Sequence, residues 1–455
     1  MNLKVDSRKV TKGDTFLALR GIDGDGHNYI DKAISNGASF IIAEEGDYSV
    51  PYKIVPDTRK YLMDYLEENY KEKIDKLKFI GITGTNGKTT TAFLIYSALK
   101  KLGVKTAYIG TIGFYIDDKI SDLSNTTPDI YDLYDMFLKC YDEGCTYVVQ
   151  EVSSQGLAYN RVEGYNFDYA IFTNLTEDHL DFHKTMENYC EAKQELFKKL
   201  KKDGISIINN DDLYKDKFLI GNNIITYGFS DSTYQVVNYN LSSTKTNFEY
   251  KYNNNIYNIE TKLIGKFNIY NILVSIIVLK NIGFSDTDIS NVIKELDTPN
   301  GRINVVKYKT NTIIIDYAHT PDALSKIINV GLDITKGNVY TVFGCTGDRE
   351  REKRPIMTNE ACKLSKYVIL THDDPHNEDQ EQIFSDMTKD IKYNNYEICY
   401  DRGEAIRKGI DLLKENDTLL ILGKGHEKFI IKNNEKIPFN DLECVNKYLK
   451  EKATV

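Results

Sequence analysis

The chain has 455 residues, room for roughly two to four domains with buried cores. Its 58 basic and 67 acidic residues leave a net charge of −9, which argues against a general polyanion-binding surface and hence against a nucleic-acid partner. Seven cysteines without a CxxC pair and an opening stretch without an apolar signal core predict reduced thiols, no zinc site and a cytoplasmic location, and the most apolar segments are too short for a membrane span.

In chain order, residues 1–76 read as a small N-terminal α/β domain. Strand-like pieces ("TFLAL", "ASFIIAEE", "YKIVP") alternate with glycine-rich turns and end in the charged helical linker "YLMDYLEENYKEKIDKLK". Residues 77–298 follow as a central domain in which apolar strands ("KFIGIT", "YVVQEVSS", "DYAIFTNL", "GISIINND") alternate with helices, the pattern of a mostly parallel sheet. Between about Asp231 and Lys262 the text turns rich in Tyr, Asn, Ser and Thr, which predicts an antiparallel excursion. Pro299 and Gly301 mark a second boundary. Residues 299–455 then carry four apolar strands ("NTIIIDYA", "NVYTVFG", "KYVILT", "DTLLILG"), a second open, Rossmann-like α/β sheet.

The central domain opens on "KFIGITGTNGKTTTAFLIYSALKKLG", a strand, a glycine-rich turn and a helix. Gly84 and Gly87 let the backbone approach a polyphosphate, the helix start offers N–H groups, Lys88 adds charge, and Thr89 can hold magnesium. The motif, T-G-T-N-G-K-T-T with Thr85, Asn86 and Thr90 in the loop, has Ile82 where the usual pattern wants glycine. It predicts ATP or GTP use. Glu151, just after a strand in "EVSSQGL", stands where a metal-binding carboxylate opposite such a loop belongs. Another strand ends in Asp178, His179, Asp181 and His183. Lys193 falls on an apolar stripe with Tyr189, Leu196 and Leu200: it either snorkels, or is desolvated into a neutral amine able to react with a carbonyl or with carbon dioxide.

Open parallel sheets bind ligands beyond their strands' carboxyl ends. In the third domain those ends carry "DYAHTPDAL", "GCTGDREREKRP", "THDDPHNED" and "GKGHEK", which put carboxylates, arginines and histidines on one rim and predict a polar-ligand site.

The ordered set "DSR", "TGTNGKTT", "NTTPD", "EVSSQGL", "NLTEDHLDFH", "EAKQELF", "DYAHTPDAL", "GDREREKRP", "DDPHNED" and "LGKGHE" resembles the Mur ligase family, and within it the branch that adds the third residue of the peptidoglycan stem peptide. The resemblance runs from Asp6 to about Glu427 and implies an ATP- and magnesium-dependent amide ligase. Its substrates would be UDP-N-acetylmuramoyl-L-alanyl-D-glutamate and a diamino acid, joined through an acyl phosphate by a cytoplasmic monomer serving cell-wall synthesis, cell shape and division.

It also implies roles. Lys88 and the loop would hold the phosphates, Thr89 and Glu151 one magnesium, and His179 with a carbamylated Lys193 a second. Asn271, Arg302 and Asp316 match adenosine contacts, Ser7 and His27 the uridine motifs, and Thr126, Thr127, Ser153 and Arg161 the sugar and peptide contacts. Tyr159 departs from the glutamine often found there, and Ser7 lies nearer the start than usual, which predicts a reduced or missing first strand. Arg349, Gly423 and Glu427 would take the amino acid's α-groups, and Asp373, Asp374 and His376 its far end. Relatives that take meso-diaminopimelate usually read D-N-P-R where this chain has D-D-P-H. Histidine is a poor substitute for a bidentate guanidinium, and Asp373, Asp374, Glu378 and Asp379 suit an ammonium, so L-lysine is favoured over meso-diaminopimelate. The alternatives are another ligase of the superfamily, D-alanyl-D-alanine-adding or folylpolyglutamate-forming, and a non-catalytic nucleotide-binding regulator.

Overall fold

The computed structural model describes residues 3–20, 24–242, 244–299 and 303–453, which form three α/β units, each around its own sheet. In the first, the strands Leu3–Lys4, Thr15–Leu17, Phe40–Ala43 and Tyr52–Ile54 lie parallel in chain order, the opening one only two residues long. The charged run that follows is helical over Thr58–Ile74, started by the Asp57 carboxylate accepting from the Lys60 N–H. It is packed rather than a solvated linker: Leu62, Leu66 and Ile74 are buried in one cluster with Ile42 of the first unit and Phe79 and Phe137 of the second. Burial at four-residue spacing turns a sequence that looks hydrophilic into a structural wedge.

Among the described residues the central sheet has eleven strands. Its parallel core runs Thr106–Gly110, Tyr147–Glu151, Lys78–Thr83, Phe167–Phe172, Leu200–Asn209 and Asn223–Gly228 from one side to the other. The Tyr-rich stretch supplies the antiparallel extension Tyr234–Leu241, Thr246–Tyr252 and Asn255–Thr261. Its tyrosines are cross-strand packing: Tyr234 stacks on Tyr252 at 4.1 Å and Tyr250 on Tyr257 at 5.0 Å between ring centres. Helix Lys266–Ile282 is apolar on nearly every side because it lies in the core, with Leu273, Ile276 and Ile277 in the same cluster as Leu94 and Ile95 of the helix after the glycine-rich turn.

Among the described residues the third sheet has six strands, of which Asn311–Asp316, Thr418–Leu422, Val339–Phe343 and Tyr367–Leu370 form its parallel middle in that spatial order. The strand latest in the chain is inserted between the two earliest of these. That reversal opens a crevice at the carboxyl ends, where the four functional-looking loops converge. No helix among the described residues is long and apolar enough to cross a membrane.

Candidate active site

The turn after strand Lys78–Thr83 takes a shape only glycine permits. Gly84 sits at φ 146°, and a Cβ there would clash with the Thr173 hydroxyl; Gly87 at φ 87° caps the helix Lys88–Lys101. No side chain caps that helix start, so its N–H groups face outward as an anion cradle. The Lys88 ammonium folds back over the loop, donating to the carbonyls of Gly84 (2.8 Å) and Thr85 (2.9 Å). Asn174 and Thr173 brace the loop from the neighbouring strand end, accepting from the Asn86 N–H at 2.9 Å and donating to the Asn86 carbonyl at 2.7 Å.

Glu151 is fully buried. Its oxygens accept from Thr89 (2.8 Å), the N–H and hydroxyl of Thr111 (2.9 and 3.1 Å) and the Tyr108 hydroxyl, all neutral donors. A buried carboxylate surrounded by neutral groups, with a threonine hydroxyl from the phosphate-loop helix on it, fits a magnesium ion, which would be held between Thr89 and Glu151.

Lys193 is 1% exposed. Its amine lies 4.5 Å from the centre of the Tyr189 ring and donates to the Gly84 carbonyl at 2.9 Å, the same oxygen that Lys88 engages. Burial, and then the charge of Lys88, push the Lys193 ammonium well below its ordinary range. The buried stripe on its helix, Met186–Lys198, comprises Tyr189, Cys190, Lys193, Leu196 and Phe197; Leu200 lies outside it because the next strand begins there. His179, in the left-handed region at φ 56°, is 3.5 Å from Asp178 and stands exposed at the cavity between the second and third units.

A cavity of about 260 Å³ adjoins the phosphate loop, lined by Asn86, Gly87, Asn271 and Asp316 among others. Asn271 accepts from Thr91 at 3.0 Å and donates to Asn268 at 3.0 Å; the Asp316 carboxylate accepts from the N–H groups of Ile303 and Ala318, both at 2.9 Å. Arg302 lies outside the described residues. From the third unit, Asp322 reaches across to accept from the Asn86 side chain at 2.7 Å.

For the predicted sugar and peptide contacts, geometry separates free groups from structural ones. His27 has both ring nitrogens engaged: Nε2 accepts from the Glu44 N–H at 2.9 Å, so Nδ1 carries the proton toward Asp25 at 2.6 Å. Neither nitrogen is open to a ligand in this arrangement, and Ser7 is buried. The Thr127 hydroxyl is likewise internal, donating to the Glu151 carbonyl (3.0 Å) and accepting from the Ser153 N–H (2.9 Å). Ser153 caps the helix Ser154–Ala158. Arg161 donates to the Thr127 carbonyl at 3.1 Å and lies 5.3 Å from the Tyr159 ring centre, so Tyr159 holds this guanidinium by a face. Thr126 is half-buried and 3.2 Å from Thr111.

A second cavity, about 500 Å³, joins the two large units. Central-unit residues Gln155, Asp178, His179 and Asp181 line one wall. Arg349, Asp373, Asp374, His376, Gly423 and Glu427 from three of the third-unit loops line the other. These loops interlock: a Cβ on Gly423, at φ 113°, would clash with the Asp373 carboxylate. Beneath them lies Lys424, wholly buried, which donates to Asp374 and Glu427 at 2.7 Å each and sits 3.9 Å from Asp373. Burial lifts the Asp373 carboxyl above its ordinary range, and burial together with Asp373 lifts Glu427 to about 7, against the pull of Lys424.

Two carboxylates expected in this pocket belong elsewhere. Glu378 accepts from Arg354 at 2.7 and 2.8 Å and from Arg351 at 2.8 and 3.1 Å, and Asp379 caps the helix Gln380–Thr388. The Arg354 contact dominates in holding the Glu378 carboxyl at about 2, despite opposing burial. Of the carboxylates in the "DDPHNED" loop, therefore, Asp373 and Asp374 face the cavity, joined from the next loop by Glu427. Since Arg354 is completely buried, Glu378→Gln is expected to lower stability by about 3 kcal/mol at pH 7. A group whose folded pKa is depressed stabilises above its unfolded pKa and loses that contribution as pH falls toward the folded value. The gap between wild type and variant in urea melts should hence hold at pH 7 to 5 and narrow below about 4.5; a difference under about 0.5 kcal/mol at pH 7 would make the pair dispensable.

Sequence reasoning also missed Lys353 and Glu350, which line the larger cavity, Glu350 accepting from the Asp181 N–H at 3.2 Å across the two units. Both lie in "GDREREKRP", where the density of charge was the only available signal.

A phosphate-loop sheet facing a second α/β sheet across a polar cavity is the arrangement of an ATP-dependent ligase. Three stretches match family profiles: residues 1–72 the Mur ligase family catalytic domain, 82–279 the Mur ligase middle domain, and 301–425 the Mur ligase glutamate ligase domain. The chain belongs to the Mur ligase family and is an enzyme, a ligase that uses ATP and magnesium. It is 40% identical to the UDP-N-acetylmuramoyl-L-alanyl-D-glutamate–2,6-diaminopimelate ligase 1 of Clostridium acetobutylicum, over 99% of this chain and 95% of that protein. It is 41% identical to the corresponding diaminopimelate ligase of Fusobacterium nucleatum, covering 100% and 94%. A solved structure of a UDP-N-acetylmuramoyl-L-alanyl-D-glutamate–2,6-diaminopimelate ligase superposes with a TM-score of 0.69 at 30% identity, covering 99% of this chain and 95% of that one. The MurF ligase of Thermotoga maritima in complex with ADP shares the fold, with a TM-score of 0.72 at 22% identity and 99% and 98% coverage.

Proposed function

We propose that this enzyme joins a diamino acid, L-lysine before meso-diaminopimelate, to the D-glutamyl side-chain carboxylate of UDP-N-acetylmuramoyl-L-alanyl-D-glutamate. The observation that carries this is the 500 Å³ cavity, whose walls pair the His179 loop beside the phosphate loop with the carboxylate and arginine loops of the third unit. In the first step a carboxylate oxygen attacks the γ-phosphorus of ATP, the bond to the β-phosphate oxygen breaks, and ADP leaves. In the second, the amine of the diamino acid attacks the acyl-phosphate carbon. The carbon–oxygen bond then breaks, inorganic phosphate departs, and the amine loses its proton.

Lys88 and the loop N–H groups hold the phosphates in line, while cavity walls keep water from the acyl phosphate. Thr89 and Glu151 would hold one magnesium and His179 with the carbamate of Lys193 another, and the ions would supply positive charge against the transferring phosphoryl group. Asn271, Asp316 and Arg302 serve the adenosine. Ser7, Thr126, Ser153 and Arg161 serve the UDP-sugar peptide, with His27 and Thr127 supporting from the scaffold. Arg349 takes the amino acid's α-carboxylate.

Glu427 takes the α-amine, and Asp373 and Asp374, beside the buried Lys424, make the far end of the pocket acidic, which favours a side chain terminating in ammonium. The diaminopimelate reading has its own support: the relatives bear that name, and Lys353 joins Arg349 as a second cation on the cavity. Supplying L-lysine, meso-diaminopimelate and L-ornithine separately with ATP and the UDP-dipeptide, and weighing the products, decides between them. Lysine is expected to give the highest kcat/KM, and His376→Arg to move preference toward diaminopimelate. A wild-type enzyme about tenfold more efficient with diaminopimelate, some 1.4 kcal/mol in transition-state binding, would defeat the charge argument.

A further inference from the structure

The two loops that bring Asp373, Asp374 and Glu427 to the cavity share a hidden anchor. Arg402, wholly buried at the start of the helix Arg402–Leu412, donates from one terminal nitrogen to the His372 carbonyl at 2.9 Å and from the other to the Leu422 carbonyl at 3.0 Å. His372 immediately precedes Asp373, and Leu422 immediately precedes Gly423. The guanidinium is itself fixed by Asp441, 0% exposed at the start of the helix Asp441–Ala453, which accepts from Nε at 2.7 Å and from the second terminal nitrogen at 2.8 Å.

We infer that Arg402 is a positioning residue for amino-acid binding: its planar fork ties the chain just past strand Tyr367–Leu370 to the end of strand Thr418–Leu422, on either side of Val339–Phe343, and so sets the spacing of the carboxylates that receive the diamino acid. The fork's rigid donors suit two carbonyls and one carboxylate at once, which a lysine cannot match. Stability does not account for the pair. Replacing a buried ion pair by apolar residues of similar size is often neutral or favourable, whereas two backbone carbonyls bridged beside a ligand pocket call for a positional explanation. The loops already interlock through Gly423 against Asp373, so a change in one strand end passes to both.

The inference rests on the larger cavity being the amino-acid site, and the experiment separates the two. In Arg402→Met/Asp441→Leu the charges leave together. The variant is expected to melt near the wild-type temperature and to keep its KM for ATP and for the UDP-dipeptide within about twofold, while KM for the diamino acid rises at least about tenfold. Arg402→Lys should fall between the two. An unchanged diamino-acid KM, or equal rises for all three substrates, overturns the inference. If the double variant does not fold, Asp441→Asn, which preserves both carbonyl contacts, is expected to leave the diamino-acid KM within about twofold, and a tenfold rise there overturns it instead. Arg349→Ala is the control: a raised diamino-acid KM in it alone keeps the site and removes the clamp, and no effect in either variant removes the site.

Discussion

Lys88→Ala is expected to lower turnover by about three orders of magnitude or more while leaving the melting temperature near that of the wild type. The loop that carries Lys88 is held from behind by Thr173 and Asn174, and its glycines set the backbone path, so the cradle survives the loss of the amine. Alanine also extends the helix Lys88–Lys101 without strain. What disappears is the charge that the proposed mechanism brings to the transferring phosphoryl group. That charge matters more as the β–γ bond breaks than while ATP merely rests in the loop, so kcat should fall further than ATP affinity. ADP release at saturating substrates, with circular dichroism for the fold, measures both. Turnover within about tenfold of wild type would overturn the assignment of Lys88 to phosphate stabilisation.

The parts of this enzyme legible in its sequence are those whose physics is local. Gly84, Gly87 and Lys88 declare a phosphate loop because backbone conformation, helix start and charge lie within five residues of one another. The strand ends of the third unit are readable because apolar runs stop abruptly at polar loops. What was not legible depends on long-range pairing. Glu378 looks like a neighbour of Asp374 in the text, yet folding turns it toward Arg354, twenty-four residues back. Lys424, Arg402 and Asp441 could not be told from surface charges, because only the packed sheet shows that all three are buried. His27 and Thr127 stand in motifs that suggest ligand contact, but Glu44, which occupies His27 together with the adjacent Asp25, and Glu151 and Ser153, which occupy Thr127, come from other turns and strands. Leu200 fitted the helical stripe of Lys193 by spacing, and the helix simply ends before it.

Lys193→Ala is expected to be as inactive as the Lys88 variant, and for a reason that the two amines on one oxygen make specific. Lys88 and Lys193 both donate to the Gly84 carbonyl, and a second buried ammonium there would be repelled by the first. Burial and that repulsion together favour the neutral amine at Lys193. A neutral amine adds to carbon dioxide: a nitrogen–carbon bond forms, one N–H proton is released, and the side chain ends in a carbamate. Repulsion from Lys88 becomes attraction, and an oxygen-donor ligand appears beside His179, where the proposed second magnesium needs one. Lys193→Ala removes that ligand, with a loss of about a thousandfold or more in turnover, and acetate or propionate should restore part of it by filling the vacated space. Labelled carbon dioxide should give a carbamate carbon signal in the wild type and not in the variant. If Lys193→Met turns over at the wild-type rate in buffer stripped of carbon dioxide, the lysine serves only to fill its place in the helix packing.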